Sequence, residues 1–292
     1  MREELGRAGL WSARLRHAGG PKLRDLAAEL DDLGWHTLWL PGMDGAGTLD
    51  DVGHVLGGAP RSRVVTGVLN IWGQTAADLT GRVARLDAEH GPRTVVGLGI
   101  GSSAGARAHG QTYGNPVVTM SRYLDGLGPQ VGPPRRLLGA GGPRMVDLAV
   151  ARTAGWHPFL VTPGYVAAER ERVGPGPFIA PHLAVVFDTD RARARATARA
   201  GIGLFLGFPT YQAGLRRLGF GDDDLGPGGS DRLIDALVAH GSPEDVHRRI
   251  TEHYDAGADH LALDVLSTDS SSLPRAQWRE LAGLVTTKEI SS

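Results

Sequence analysis

Short apolar, often β-branched runs alternate with amphipathic segments from one end of the chain to the other. RVVTGVLN (63–70) and RTVVGLGIG (93–101) read as buried strands, as do HTLWLP (36–41), RRLLGA (135–140), WHPFLVT (156–162), FIAPHLAVVFD (178–188) and DHLALDVL (259–266), with RAGLW (7–11) as a short first strand. Between them, Leu23, Leu26, Leu30 and Leu33 recur at helical spacing, and so do Leu79, Val83 and Leu86. Helices are also expected over 49–58, 115–127, 143–154, 163–174 and 190–207, in SDRLIDALVAHG, in SPEDVHRRITEHYDAG and in PRAQWRELAGLV. Ser242, Pro243, Glu244 and Asp245 have the character of an N-cap and first turn. LGFGDDDLGPGGSD (218–231) reads as a polar loop. About eight strand–helix units predict a parallel sheet and a (β/α)8 TIM-type barrel, with a doubly wound open sheet as the alternative. With 292 residues and no linker-like stretch, a single barrel domain over 1–292 is expected.

Composition narrows the function classes. The net charge is −1, so nucleic-acid binding has no global electrostatic support. No cysteine is present, which removes disulfides, thiolate nucleophiles and Cys-ligated metals. The histidines His247, His253 and His260 lack metal-ligand spacing, so no metal is expected. No apolar run reaches the roughly 20 residues needed to span a bilayer, and MREELGRAGLW has no secretory signature, so a cytoplasmic protein is expected. Arg191, Arg195 and Arg199 share one helix face, read as a solvated surface.

In a barrel the functional face lies at the C-terminal ends of the strands. Here these ends are Leu40-Pro41-Gly42, Leu69-Asn70, Gly99-Ile100-Gly101-Ser102, Ala140-Gly141-Gly142, Val161-Thr162-Pro163, Asp188 and Val265. Small residues dominate, which suits a large flat ligand lying close to backbone. In LLGAGGPRM (137–145), a turn without side chains precedes a helix whose N-terminal N–H groups suit a phosphate; a tight strand-to-helix connection is the alternative. Gly97-x-Gly99-x-Gly101 lacks the dinucleotide-binding spacing and points instead to close backbone approach. Trp39 and Trp72 are candidates to wall the site, and Trp35 to pack in the core.

Four segments carry a resemblance to the luciferase-like monooxygenase superfamily, and within it to the F420-dependent oxidoreductases: TGVLNIW (66–72), VVGLGIGSS (95–103), LLGAGGPRMVDLAVARTAGWHPFLVT (137–162) and, more loosely, 233–263. The resemblance implies a luciferase-like barrel that binds the deazaflavin F420, or alternatively FMN. It implies a non-prolyl cis peptide at Gly67–Val68 behind the central ring and Asn70 at the ring's pyrimidine edge. It places Gly141, Gly142, the helix from Pro143, and Arg144 at the phosphate. Leu40, Pro41, Gly99, Gly101, Ser102 and Ala140 complete the implied cofactor-binding set. A basic groove near Arg107, Arg135 or Arg144 would favour F420, whose tail carries extra carboxylates.

The chain departs from many F420-dependent members in lacking an Asp-His pair after the second strand, where it reads Trp39-Leu40-Pro41-Gly42-Met43-Asp44, and a Glu after the fourth. Candidates for a proton donor are His109, Tyr113, His157, His182 and Tyr211, with His109 and Tyr211 retained as catalytic candidates. His157 is expected at the start of the sixth strand and so at the opposite end of the barrel; His182 is expected mid-strand, buried and hydrogen-bonded. The expected function is hydride transfer between F420 and a small organic substrate. The alternatives are an FMN-dependent monooxygenase, a non-catalytic flavin-binding barrel, and an unrelated barrel enzyme that holds a substrate phosphate. The partners expected are a small-molecule substrate and a second copy of the chain in a homodimer.

Overall fold

The computed structural model describes residues 1–42, 46–269 and 272–286; Met43 and Asp44 lie outside them. The chain divides into two compact units, Met1–His157 and Pro158–Ser292. The first unit runs α1 (Arg2–Leu5), β1 (Ala8–Trp11), α2 (Gly20–Asp32), β2 (Thr37–Gly42), α3 (Ala46–Gly58), β3 (Arg63–Asn70), α4 (Ala76–His90), β4 (Thr94–Gly99), α5 (Ser103–Ala108), α6 (Pro116–Asp125), β5 (Arg136–Leu138), α7 (Pro143–Arg152) and β6 (Gly155–Trp156). β1 to β6 pair in parallel in sequence order, in five ladders. Every residue of β4 is buried, the condition of a strand covered on both faces, which explains its unbroken apolar run. Thr75 caps α4 by accepting the N–H of Asp78, and Gly91 ends that helix at φ 78°.

The second unit runs α8 (Pro163–Val173), β7 (Phe178–Ile179), β8 (His182–Phe187), α9 (Arg191–Leu206), α10 (Pro209–Arg217), α11 (Asp231–Leu237), β9 (Val238–Gly241), α12 (Pro243–Asp255), β10 (Leu261–Val265) and α13 (Arg275–Thr286). β8 lies between β10 and β9, parallel to both. Its core is built from Ala184, Val186, Ile202, Leu206, Leu233 and Ile234, among others. Arg195 and Arg199 do more than face solvent: they bind Asp231 and Asp235 of α11 and so tie α9 to it.

Three expectations change. The strand read over 156–162 ends at Trp156; Pro158 has no N–H to continue a ladder, and Leu160 takes a left-handed φ of 55°. The strand read over 178–188 is two, broken at Ala180-Pro181. The helix read over SDRLIDALVAHG stops at Leu237, and Val238–Gly241 pairs with Ala184–Phe187 instead. α10, inside FPTYQAGLRRLGF, was not foreseen as a helix.

His253 on α12 is fully buried, and neither ring nitrogen has a hydrogen-bond partner among the described residues. Burial, with Arg249 adding like-charge repulsion, pushes its pKa down to about 3 from an ordinary 6.5. Below its ordinary pKa the unfolded chain takes up this proton and the folded chain does not. The neutral ring's contribution is therefore whole above about pH 6.5 and is lost as pH falls from there towards 3, at up to about 1.4 kcal/mol per pH unit. Replacing His253→Leu should flatten the dependence of unfolding free energy on pH between about 6 and 4, read from denaturant titrations at stepped pH. An unchanged slope would show that His253 is not the group responsible.

Candidate functional site

β3 carries one residue more than either neighbour. On the β4 side Val65 faces Val95 and Leu69 faces Leu98, so the same stretch takes four steps along β3 and three along β4. On the β2 side Leu40 faces Thr66 and Gly42 faces Leu69, which is again one residue short. The surplus falls at Gly67–Val68, whose peptide bond is cis, at the position the resemblance implies. This is a β-bulge shared by both ladders.

Neighbouring glycines make room for it. A β-carbon on Gly67 would stand 2.8 Å from Trp39 Cε3 and 3.0 Å from Trp11 Nε1. One on Gly99 would stand 2.5 Å from Val68 Cγ2, and one on Gly139 3.2 Å from the same atom. One on Gly97 would stand 2.1 Å from the carbonyl oxygen of Thr66. Gly97 and Gly99 thus clear space for the bulge itself, where the sequence pattern suggested direct approach of a ligand. Val68, half-buried, lies across the glycines of β4 and of the turn after β5.

The remaining expected cofactor positions all fall in the first unit. Leu40 is fully buried in β2, and the carbonyl of Pro41 accepts a long hydrogen bond from Arg16 at 3.4 Å. Asn70 ends β3 and caps the short turn Ile71–Gly73, its Oδ1 accepting the N–H of Trp72 at 3.0 Å. Gly101, at φ 60°, packs against the Asn70 amide. Ser102 caps α5 by accepting the Gly105 N–H at 3.1 Å. Ala140 is buried and Gly141 exposed, and a β-carbon on Gly141 would meet nothing within 4 Å. Gly142 is the N-cap of α7, Pro143 opens the helix, and Arg144 in its first turn is exposed. Arg107 and Arg144 make no ion pair among the described residues. Arg135 does not join them: Asp87 holds it in a bidentate pair at 2.5 and 2.8 Å.

The acid–base candidates separate. His109 closes α5 and is exposed. Tyr113 leans on the Trp72 ring at 5.8 Å, and burial raises its pKa. Trp72 is buried, its indole N–H bonded to the Ile100 carbonyl at 2.6 Å. Tyr211 belongs to the second unit, where it packs on Phe159, Phe205 and Phe208; burial raises its pKa, and packing accounts for it. His157 follows β6 rather than starting it, so it lies at the C-terminal end of that strand. Its N–H bonds the Leu138 carbonyl at 2.8 Å and its ring stacks on buried Trp39 at 4.5 Å. His182 is buried at the start of β8, with Nε2 3.5 Å from Asp264 and its ring 4.2 Å from Phe159. A cavity of about 400 Å³ in the second unit is lined by Asp188, Asp235, His240, Asp245, Arg248 and Glu252. Its charges are matched by ion pairs, Asp188 with Arg193, Asp235 with Arg195, Asp245 with Arg248 and Arg249 with Glu252.

The clearances around Val68 differ in kind, and substitutions should reveal it. Gly99→Ala should destabilise by about 1–3 kcal/mol through overpacking, and adding Val68→Ala should recover most of the loss. Gly97→Ala meets a backbone carbonyl, so Val68→Ala should not rescue it. Thermal and denaturant unfolding of the single and double variants measure both outcomes.

Among the described residues, no helix is long and apolar enough to cross a membrane, and no group of three His, Asp or Glu is placed to hold a metal ion. No protein-family model and no curated protein sequence matches the chain. Solved structures do. An F420-dependent secondary alcohol dehydrogenase in complex with an F420–acetone adduct superposes with a TM-score of 0.73 at 12% identity, over 96% of this chain and 98% of that one. The coenzyme F420-dependent tetrahydromethanopterin reductase of Methanopyrus kandleri gives 0.72 at 16% identity, over 98% and 99%. The oxygenating constituent of 3,6-diketocamphane monooxygenase of Pseudomonas putida, a type II Baeyer–Villiger enzyme in complex with FMN, gives 0.65 at 14% identity, over 96% and 98%. Agreement over nearly the full length of all these chains establishes the architecture read from the strand–helix alternation: this chain has the luciferase-like, TIM-type α/β barrel fold.

Proposed function

We propose that the chain is a luciferase-like oxidoreductase that binds F420 at the C-terminal ends of β2 to β5 and exchanges a hydride with a small organic substrate. The carrying observation is a combination within the first unit: half-buried Val68 seated across the glycines of β4 and of the turn after β5, and a helix start left without a side-chain cap. α4, α5, α6, α8, α9, α11 and α12 each begin on a Ser, Thr, Asn or Asp whose side chain accepts a first-turn N–H, whereas α1, α2, α7 and α10 do not. α7 begins on Gly142, which has no side chain to do so, and the β-carbon position of Gly141 is open. A phosphate accepting those N–H groups suits this helix start and its partial positive charge. Arg144 adds an exposed guanidinium in the same turn.

These residues fit a flavin-type cofactor. When bound, the cofactor supplies the hydride chemistry. Val68 would offer an apolar surface to one face of its ring, Asn70 a polar edge, and Gly141, Gly142 and Arg144 the phosphate contacts. Arg107 and Arg144 are exposed guanidinium groups on α5 and α7, and the resemblance to the F420-dependent oxidoreductases puts F420 ahead of FMN. The likeness to both an F420 enzyme and an FMN complex keeps FMN as the second reading.

Fluorescence titration of the purified protein with F420 and with FMN tests the proposal. Saturable binding of F420 in the micromolar range is expected. A preference for FMN would move the reading to a monooxygenase, and tight binding without turnover on any substrate to a non-catalytic barrel. Binding of neither would overturn it. Arg144→Ala should weaken the phosphate-bearing cofactor about five- to tenfold and leave riboflavin, which lacks the phosphate, unaffected.

A further inference from the structure

An extra residue in an inner strand displaces backbone groups from their ladder partners, and buried ones must be satisfied elsewhere. In β3 two side chains do this. Thr66 is fully buried; its hydroxyl accepts the N–H of Gly97 at 2.9 Å and donates to the carbonyl of the same residue at 3.0 Å. One hydroxyl thus stands in for the β3 peptide group that Gly97 would otherwise meet. On the other side, the carbonyl of Gly67 accepts the indole N–H of Trp11 at 3.0 Å, from 56 residues away in the chain. The place of a Gly67 β-carbon is already taken by the rings of Trp11 and Trp39.

We propose that Thr66 and Trp11 are positioning residues of the cofactor site. Together they pin both flanks of the extra residue and hold Val68 across β4, where the cofactor ring would rest. Neither needs to touch the cofactor: Thr66 is enclosed between β3 and β4, and Trp11 acts through the Gly67 carbonyl. The inference rests on the binding proposed above, because it assigns these residues to the same surface. Removing either hydrogen bond frees Val68 to shift; Thr66→Val does so at nearly constant core volume, whereas Trp11→Phe also removes part of a buried ring.

Fluorescence titration with FMN and F420, together with melting temperature, tests this on wild type, Thr66→Val, Thr66→Ser and Trp11→Phe. Thr66→Val keeps the shape and loses the hydroxyl; Thr66→Ser keeps the hydroxyl and loses a methyl. For whichever cofactor the wild type binds, Thr66→Val and Trp11→Phe should weaken affinity about tenfold or more, and Thr66→Ser less than about threefold. Affinity should therefore follow the hydroxyl and not the melting temperature. If Thr66→Val does not fold, Thr66→Ala against Thr66→Ser, which differ only by the hydroxyl, makes the same comparison. Variants that bind as tightly as wild type, or affinities that merely track melting temperature, would overturn the positioning role and leave the cofactor reading standing. A wild type that binds neither cofactor would remove both.

Discussion

The surplus residue in β3 is the constraint around which the first unit is arranged. A parallel ladder obliges every buried N–H and C=O to find a partner, and one extra residue breaks that pairing on two sides at once. The repair draws on residues distant in sequence: a hydroxyl on β3, an indole on β1, and glycines on β3, on β4 and after β5. Each glycine leaves out a side chain that would collide with a neighbour's backbone, with Val68 or with the rings of Trp11 and Trp39. The glycine-rich strand ends of this unit are thus in part a packing requirement of the sheet.

The proposed chemistry rests mainly on backbone and shape. The expected cofactor positions offer few titratable groups; Asn70 and Ser102 each cap a turn or helix with their side chains, and Arg135 is held by Asp87. What this end of the unit presents is Val68 seated over glycines, an uncapped helix start at Gly142, and exposed guanidinium groups at Arg107 and Arg144. Such a surface suits a cofactor that brings its own reactivity. It also suits a fold whose whole-chain likeness persists at 12–16% identity, because clearances and helix starts constrain few side chains.

Elements with strong local signals were legible in the sequence. The bounds of β3 at Arg63 and Asn70, the burial of β4 and the capped start of α12 follow from β-branching, apolar runs and capping residues. Positions decided by pairing were not. Val238–Gly241 continues a helical pattern in sequence and becomes a strand because β8 has an unpaired flank beside it. His157 changes ends because its strand stops at Trp156, and Tyr211 finds its place among rings from Phe159 to Phe208.

By itself the sequence determined the alternation of strand and helix, the parallel sheet, the missing side chains at the strand ends and the side-chain-poor turn at 140–143, all of which depend on residues close together in the chain. Only the tertiary structure decided what those glycines accommodate, which histidine lies at which end of its strand, and that Trp11 meets Gly67. Those are questions of which atoms compete for one volume or one hydrogen bond across tens of residues, and local pattern carries no record of that competition.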